Sequence, residues 1–208
     1  PEGYSILFLQ GGASLGFFLF FFIFMKVNGK AAYVNTGVWA TKAQKEAKGF
    51  GEVVEVASSK DKNFNYIPKN YQLPGDADYL HITSNNTIFG TQFKNFPVSR
   101  IPVICDMSSD IFSRKIDVSQ FDMIYAGAQK NMGPAGTTVF IVKDSALGKT
   151  GREIPTMLDF RSHIKGESMF NTPPVFAVYV SMLTLQWLKD NGGVEWIEGI
   201  NQQKADLL

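Results

Sequence analysis

The sequence predicts an α/β domain. Seven short runs rich in β-branched and aromatic residues alternate with stretches of helical periodicity, and polar or glycine-rich turns follow several of these runs. With 208 residues, 45% hydrophobic and 19% charged, the chain can fill one well-packed core. The predicted strands are residues 6–9, 31–35, 52–57, 79–83, 102–105, 123–126 and 137–142.

The first predicted strand, residues 6–9, leads through a glycine pair into an apolar helical stretch. Gly11 and Gly12 let the backbone approach an anion, and the N–H groups of a helix start favour a phosphate, as does the Ser14 hydroxyl. A glycine pair before a helix is also an ordinary turn. The segment therefore predicts either a phosphate cradle or a simple connection.

The helical stretch that follows carries six phenylalanines in the eight positions 17–24. A membrane span needs about 20 apolar residues, and Lys26 ends this run well short of that length. Two explanations are open: a helix packed between the sheet and a partner subunit, or residue identities that were assigned imperfectly. Peptide mass mapping of residues 1–30 separates them, because a mass that matches the written sequence excludes the second.

Trp39 follows Asn35, Thr36 and Gly37 at the start of a predicted helix that runs to Lys48. Its indole could stack flat on an aromatic cofactor ring. A tryptophan buried in the core is the commoner role at such a position. Both interpretations stay open at this point.

Asp106 ends the apolar run of residues 102–105. Ligands of open α/β sheets bind beyond the carboxyl ends of the strands, so an acid at this point can face a site. A carboxylate beside a pyridine nitrogen would keep that nitrogen protonated. The alternative is local, since Asp106 could instead cap the turn through Ser108 or Ser109.

Lys130 lies in the run YAGAQKNMGPAG, residues 125–136, between a short apolar strand and glycine-rich turns. A lysine amine that is withdrawn from water loses proton affinity, and its neutral form attacks carbonyl groups. A lysine in a glycine-bearing loop is more often a solvated surface residue. Asp106 lies at the end of the preceding predicted strand, and this spacing favours the chemical role of Lys130 over the solvated one.

The remaining composition argues against several other functions. A net charge of +1 gives no basic excess for nucleic acid. Cys105 is the only cysteine, so no intrachain disulfide can form, and a reduced, cytoplasmic setting is expected. His81 in a strand and His163 in a polar loop have no cysteine or acid at the spacing of metal ligands, so no metal site is assigned. No membrane association is expected, because the apolar run before Lys26 is too short to span a bilayer.

A further helix is predicted over residues 175–189, apolar on most sides and stopped by Asn191, Gly192 and Gly193. Thr172 before Pro173 is typical of a helix start, with threonine as the N-cap and proline in the first turn.

The chain resembles the phosphoserine aminotransferases, which are fold type I pyridoxal phosphate (PLP) enzymes of the class V aminotransferase group. The resemblance rests on five motifs in the order and spacing of that family and spans nearly the whole chain. They are FLQGGAS (8–14), YVNTGVW (33–39), CDMSSD (105–110), AGAQKNMGPAG (126–136) and FNTPP (170–174). It implies the large PLP-binding domain over residues 1–208, with a mostly parallel mixed sheet of about seven strands flanked by helices.

The resemblance also implies which residues hold the cofactor ring. Lys130 would form the Schiff base with PLP and act as the base that moves the substrate proton. Asp106 would pair with the pyridinium nitrogen, and Trp39 would stack on the ring. Thr87, in SNNTIFG, would hydrogen-bond on the side of the ring hydroxyl.

The phosphate site implied by the resemblance draws on both subunits of a homodimer. Ala13, Ser14 and Gln129 would bind the phosphate of PLP from one subunit. Asn171 and Thr172 would complete the site from the partner. This cross-subunit role is compatible with Thr172 also starting a helix.

The family reaction would transfer the amino group of glutamate to 3-phosphohydroxypyruvate, giving 2-oxoglutarate and phosphoserine in serine biosynthesis. Another class V enzyme is the first alternative, either an alanine:glyoxylate aminotransferase or a cysteine desulfurase. The desulfurase is disfavoured because Cys105 lies in a strand and not on a mobile loop. A truncated, non-catalytic PLP-fold domain is the second alternative, and the mass of the full-length protein separates it from the enzyme.

Two features depart from the family. The sequence lacks the flanking segments that carry the small domain and the substrate-gripping arginine and histidine residues, so it is expected to be an internal piece, or the resolved part, of a longer protein. Arg161, His163 and Lys165 could supply a positive rim to a site, but a solvated loop is the preferred interpretation. Gly16 also stands where the family usually has glutamine, directly before the phenylalanine run.

Overall fold

The computed structural model describes residues 1–207, which form a seven-stranded sheet, a two-stranded ribbon and five α-helices. The strands are β1 Tyr4–Leu9, β2 Lys30–Asn35, β3 Glu52–Ser58, β4 Tyr79–Thr83, β5 Asn85–Asn86, β6 Thr91–Gln92, β7 Val103–Asp106, β8 Met123–Gly127 and β9 Thr138–Lys143. The helices are α1 Gly12–Phe24, α2 Val38–Ala47, α3 Phe160–Lys165, α4 Val175–Asp190 and α5 Gly193–Asp206.

The large sheet has the strand order β1-β9-β8-β7-β4-β2-β3. Strands β8, β7, β4, β2 and β3 pair in parallel, while β9 runs antiparallel to both of its neighbours, β1 and β8. The predicted α/β class and the seven strands of a mostly parallel mixed sheet are confirmed. The carboxyl ends of β7 and β8 lie side by side at one edge, which brings the segments after Asp106 and Gly127 together.

Helix α1 explains the phenylalanine run, because nearly every face of this helix is covered. Phe17 and Phe20 contact the Tyr125 ring on the sheet, with centroids 5.9 and 5.7 Å away. On another side, Phe21 stacks on Phe50, which follows α2, at 4.7 Å. A helix covered on several sides has no polar face to display. Burial within a single chain is thus sufficient for most of the run, and the suggested contact with a partner subunit stays a prediction.

Gly16 lies on the face of α1 that approaches the sheet most closely. A Cβ atom at this position would lie 3.1 Å from the Cδ2 atom of Tyr125, nearer than ordinary van der Waals contact. A glycine therefore fits the close approach of α1 to β8, and a glutamine would require the ring of Tyr125 to shift.

Substitution of Phe20 by alanine should destabilise the fold strongly. The Phe20 side chain is fully buried and contacts the rings of Tyr79, His81 and Tyr125. We expect the free energy of unfolding to fall by about 3–5 kcal/mol, measured by denaturant titration. Phe18→Ala is the matched control on the same helix, because Phe18 is half-buried and should cost less. An equal loss in both variants would contradict this account of α1.

The helical segment after residue 155 differs from the sequence prediction in two places. Arg161, His163 and Lys165 all lie in α3, so the predicted loop is wrong for the three residues. Arg161 and Lys165 are exposed, as predicted, whereas His163 is buried, with its Nε2 atom 2.8 Å from the carbonyl oxygen of Met157. The cap of α4 is Pro174 and not Thr172, because the helix begins only at Val175 and no side chain caps it. The predicted end of α4 at Asn191 is confirmed.

The ribbon of β5 and β6 was not predicted, since each strand has only two residues. Asn86 holds the ribbon together by donating to the Thr91 hydroxyl at 3.2 Å. The turn between the two strands carries Thr87. Within residues 1–207, no helix has the length and apolar character needed to cross a bilayer.

Candidate active site

A recess opens at the carboxyl edge of the sheet, where β4, β7 and β8 end. It is built from segments that are far apart in the sequence and that the strand order makes neighbours. The lining residues are Ala13, Trp39, Thr83, Asn85, Thr87, Asp106, Ser108, Ser109, Gln129 and Lys130. Six of the nine predicted site residues therefore meet in one place.

Lys130 occupies a turn that the backbone holds firmly. The N–H groups of Met132 and Gly133 both donate to the carbonyl oxygen of Ala128, at 3.0 and 2.9 Å. The Ala128 N–H donates to the carbonyl oxygen of Thr137 at 3.0 Å, which closes the loop directly before β9. Lys130 is exposed in the single chain, so the expected withdrawal of its amine from water is not found.

Asp106 is buried at the end of β7, with a relative exposure of 5%. Its Oδ1 atom accepts the Ser108 N–H at 2.9 Å, so the local turn-capping role and a position in the recess occur together. Burial raises the pKa of Asp106 to about 6, and the nearby Asp110 carboxylate adds to this rise. The hydrogen bonds from Ser108 and Tyr125 act in the opposite direction. A buried acid of this kind is suited to pair with a cationic group of a ligand.

The start of α1 has the backbone that an anion cradle requires. Gly11 has a φ of 101°, and a Cβ atom on it would meet the Leu15 side chain, so only glycine fits. No side chain in the described part of the chain caps the helix, which leaves its first N–H groups for solvent or a ligand. Ala13 lines the recess, whereas Ser14 is exposed on the same turn and does not.

Trp39, Thr87 and Gln129 surround the mouth of the recess. Trp39 lies in the first turn of α2 and is 37% exposed, so the alternative of a core tryptophan is wrong. The Nζ atom of Lys42 lies 4.5 Å from the centroid of the Trp39 ring. Thr87 and Gln129 are both exposed and line the recess.

Asn171 and Thr172 lie outside the recess of their own chain. Both are exposed, and the Thr172 carbonyl oxygen accepts a hydrogen bond from Gln10 Nε2 at 2.5 Å. Asn171 lines a separate, mostly apolar pocket beside Gln10. Their predicted role toward a partner subunit therefore stays a prediction.

Four lining residues were not predicted as site residues: Thr83, Asn85, Ser108 and Ser109. The two serines stand in the motif CDMSSD and were considered only as turn caps for Asp106. Thr83 is the last residue of β4 and Asn85 follows two residues later, at the start of β5, so the rule that ligands bind beyond strand ends would have found them. The Thr83 hydroxyl is buried and, among residues 1–207, has no hydrogen-bond partner.

Comparison with known protein families identifies the arrangement. The family model described as aminotransferase class V matches residues 1–208, the whole chain. The chain belongs to the class V aminotransferases. As a class V aminotransferase, it carries the lysine and the buried acid on adjacent strand ends, which is where the sequence motifs predicted them.

Relatives of this class V aminotransferase are named phosphoserine aminotransferases. That of Flavobacterium psychrophilum is 67% identical over 207 residues, covering 100% of this chain and 58% of the relative. The structure of the Bacillus circulans subsp. alkalophilus enzyme is 47% identical with a TM-score of 0.96, covering 100% of this chain and 58% of that one. The PLP-bound enzyme of Trichomonas vaginalis is 35% identical with a TM-score of 0.92, covering 99% and 59%. The chain thus spans a little under three fifths of the proteins that it resembles.

Cys105 is fully buried in β7 of the class V aminotransferase. Burial raises the pKa of its thiol well above the usual value, and the carboxylates of Asp110 and Asp106 add to this effect. A thiol of this kind is not a nucleophile at neutral pH. The geometry therefore disfavours the cysteine desulfurase alternative.

Proposed function

We propose that this chain is the large, cofactor-binding domain of a PLP-dependent phosphoserine aminotransferase, which transfers the amino group of glutamate to 3-phosphohydroxypyruvate. The observation that carries the proposal is that Lys130, Trp39 and the buried Asp106 line the same recess. The 67% identity to a phosphoserine aminotransferase supports the choice of substrates. A cytoplasmic location, expected from the single cysteine, stays a prediction.

The recess has the groups that PLP requires. Asp106 is a buried acid that can hold a pyridine nitrogen in its protonated form. The uncapped start of α1 offers N–H groups to a phosphate, close to Ala13 and Gln129. Thr83 adds a buried hydroxyl that lacks a partner among residues 1–207. These features fit a flat, anionic, nitrogen-containing ring.

The chemistry divides between the cofactor and the chain. When bound, PLP supplies an electrophilic carbon and a ring that withdraws electrons from the substrate Cα. Lys130 would anchor the cofactor through Nζ, and the same atom would accept and return the Cα proton. Trp39 would cover one ring face and exclude water, and Thr87 would orient the ring from the hydroxyl side.

Amino-acceptor preference tests the proposal. The full-length protein, loaded with PLP and supplied with glutamate, should convert 3-phosphohydroxypyruvate with a kcat/KM at least about 10²-fold above that for glyoxylate, because a site built for a charged group rejects an analogue that lacks it. A preference for glyoxylate would favour the alanine:glyoxylate type. Failure to convert either acceptor, despite bound PLP, would favour a non-catalytic domain.

We also propose that the protein is a homodimer that joins through α4. Val175, Phe176, Tyr179, Leu183 and Trp187 are all more than 45% exposed. Their spacing places them on one face of the helix, and monomers seldom leave so large an apolar stripe exposed. Asn171 and Thr172 are exposed and precede the stripe by a few residues, separated from it by Pro173 and Pro174. A partner on this face would bring these two residues toward its own cofactor phosphate.

Phe176→Asp should therefore convert the dimer to a monomer and weaken PLP binding. A charge in the middle of an apolar interface leaves an unpaired carboxylate, so we expect a loss of at least about 100-fold in the dimerisation constant, measured by analytical ultracentrifugation. PLP affinity should fall with it, because the phosphate loses Asn171 and Thr172. Gln203→Asp, which adds the same charge to an exposed site on α5, is the control. A dimeric Phe176→Asp variant would contradict the proposed interface.

A further inference from the structure

A buried carboxylate, that of Asp110, bridges the open end of the ribbon formed by β5 and β6. Its Oδ1 atom accepts a hydrogen bond from the hydroxyl of Ser84, the residue directly before β5. Its Oδ2 atom accepts one from the Nε2 atom of Gln92, the last residue of β6, at 3.1 Å. The two strands are thus held together at the end opposite to the turn that carries Thr87.

The surroundings of Asp110 favour its charged form. The side chain is buried, and the Nη2 atom of Arg114 lies 3.7 Å from Oδ2. The same Nη2 atom donates at 2.5 Å to the carbonyl oxygen of Phe93, directly after β6. Burial raises the pKa of Asp110, whereas the hydrogen bonds from Ser84 and Gln92 and the charge of Arg114 lower it. An ionised carboxylate makes stronger hydrogen bonds than a neutral group would.

The ribbon needs such an attachment because it is very short. Each strand has two residues, and a two-stranded hairpin by itself is marginally stable at best. The Nδ2 atom of Asn85 makes one further contact, to the Ser109 Oγ atom at 3.0 Å. That contact holds β5, whereas the carboxylate of Asp110 holds both strands.

The loop that carries Asp110 is also tied to the other side of the recess. It starts directly after Asp106, at the end of β7. The Nδ2 atom of Asn131, the neighbour of Lys130, donates to the carbonyl oxygen of Ile111 in this loop at 2.9 Å. The carboxylate therefore fixes the ribbon to the same loop that joins the segments of Asp106 and Lys130.

We propose that Asp110 is a positioning residue, whose carboxylate clamps the ribbon of β5 and β6 and thereby fixes Thr87 at the mouth of the recess. Thr87 lines the recess, whereas Asp110 and Gln92 are not among its lining residues and act through the ribbon. The contact of Thr87 with the hydroxyl side of PLP rests on the proposed function. The clamp itself does not.

Gln92→Met opens the clamp with little disturbance, because methionine is of similar length and Asp110 keeps Ser84 and Arg114. The amide of Phe93 reports on the open end, since its N–H donates to the carbonyl oxygen of Ser84 at 2.8 Å. In the full-length protein without cofactor, this amide should exchange its hydrogen at least about 10-fold faster than in wild type, because a hydrogen bond to a charged group is lost. The amides of β8 should keep their wild-type rates. Equal exchange of the Phe93 amide in Gln92→Met and wild type would overturn the proposal.

Two further variants complete the exchange experiment. Asp110→Asn removes the charge and should speed exchange of the Phe93 amide in the same way; if this variant does not fold, Gln92→Met still decides. Asp117→Asn is the matched control, because Asp117 is an exposed aspartate later in the same connection that accepts the Ser119 N–H at 2.9 Å. It should leave the ribbon unchanged. Because PLP is absent, these results do not depend on whether the protein is an aminotransferase.

PLP binding then tests whether the clamp acts through Thr87. Gln92→Met should weaken the affinity for PLP by about 10-fold, followed by the visible absorption of the bound cofactor, and should have no further effect in a Thr87→Ala background. A merely structural role, which loosens the whole recess, predicts equal losses in both backgrounds and would overturn the assignment. If wild type binds no PLP, the proposed function fails, and the exchange rates alone decide the clamp.

Discussion

Lys130→Ala should lower kcat of the full-length enzyme by at least about 10³-fold, because in the proposed function one side chain serves both as the anchor of the cofactor and as the base for the Cα proton. The turn around Lys130 is held by backbone hydrogen bonds of Ala128, so alanine at position 130 should leave it intact. Circular dichroism and the melting temperature should match wild type. Borohydride treatment should fix PLP to the wild-type protein and not to the variant.

A second lysine provides the control for this result. Lys149 is exposed and lies away from the recess, so Lys149→Ala should keep both activity and borohydride trapping. Trapping of PLP by the Lys130→Ala variant at the wild-type level would refute the assignment of Lys130. Lys130→Arg should fail as well, since a guanidinium is too basic and delocalised to perform either task.

Asp106→Asn should impair catalysis and stabilise the cofactor-free fold. Asparagine keeps an acceptor for the Ser108 N–H but cannot stabilise a protonated pyridine, so we expect kcat to fall by about 10²–10³-fold. The folded-state pKa of about 6 lies above the ordinary value of 3.8. Folding therefore favours the protonated acid, and the free energy of unfolding falls as the pH rises from about 4 to about 6. The expected loss is on the order of 3 kcal/mol, present in full above pH 6.

Denaturant titrations between pH 4 and pH 8 measure this effect. Wild type without cofactor should lose stability over that window, while Asp106→Asn should lack this component and be the more stable protein at pH 8. Glu46→Gln neutralises an exposed carboxylate on α2 and should follow the wild-type curve. Identical pH profiles for wild type and Asp106→Asn would show that the burial of Asp106 carries no such cost.

The sequence was sufficient for the features that depend on pattern. Alternating strand and helix runs predicted all seven strands of the large sheet, and residues after the strand ends predicted Asp106 and Lys130 at one edge. The sequence was insufficient for features that depend on contacts between segments distant in the chain. The exposure of Lys130, the burial of His163 and the Thr83 hydroxyl, which lacks a partner within residues 1–207, all depend on which residues pack against each one. Likewise, the start of α4 at Val175 overrides the local preference of Thr172 as a cap.

The register of β1 has a consequence for how the protein folds. Among residues 1–207 its partner in the sheet is β9 alone, and Tyr4 pairs with Lys143, so this pairing cannot form until the entire segment between them has been synthesised. Until then, an apolar strand stays open to mispairing. The closing of the sheet by β1 and β9 is thus expected to be a slow, late event, with the chain most prone to aggregation while it is still emerging from the ribosome.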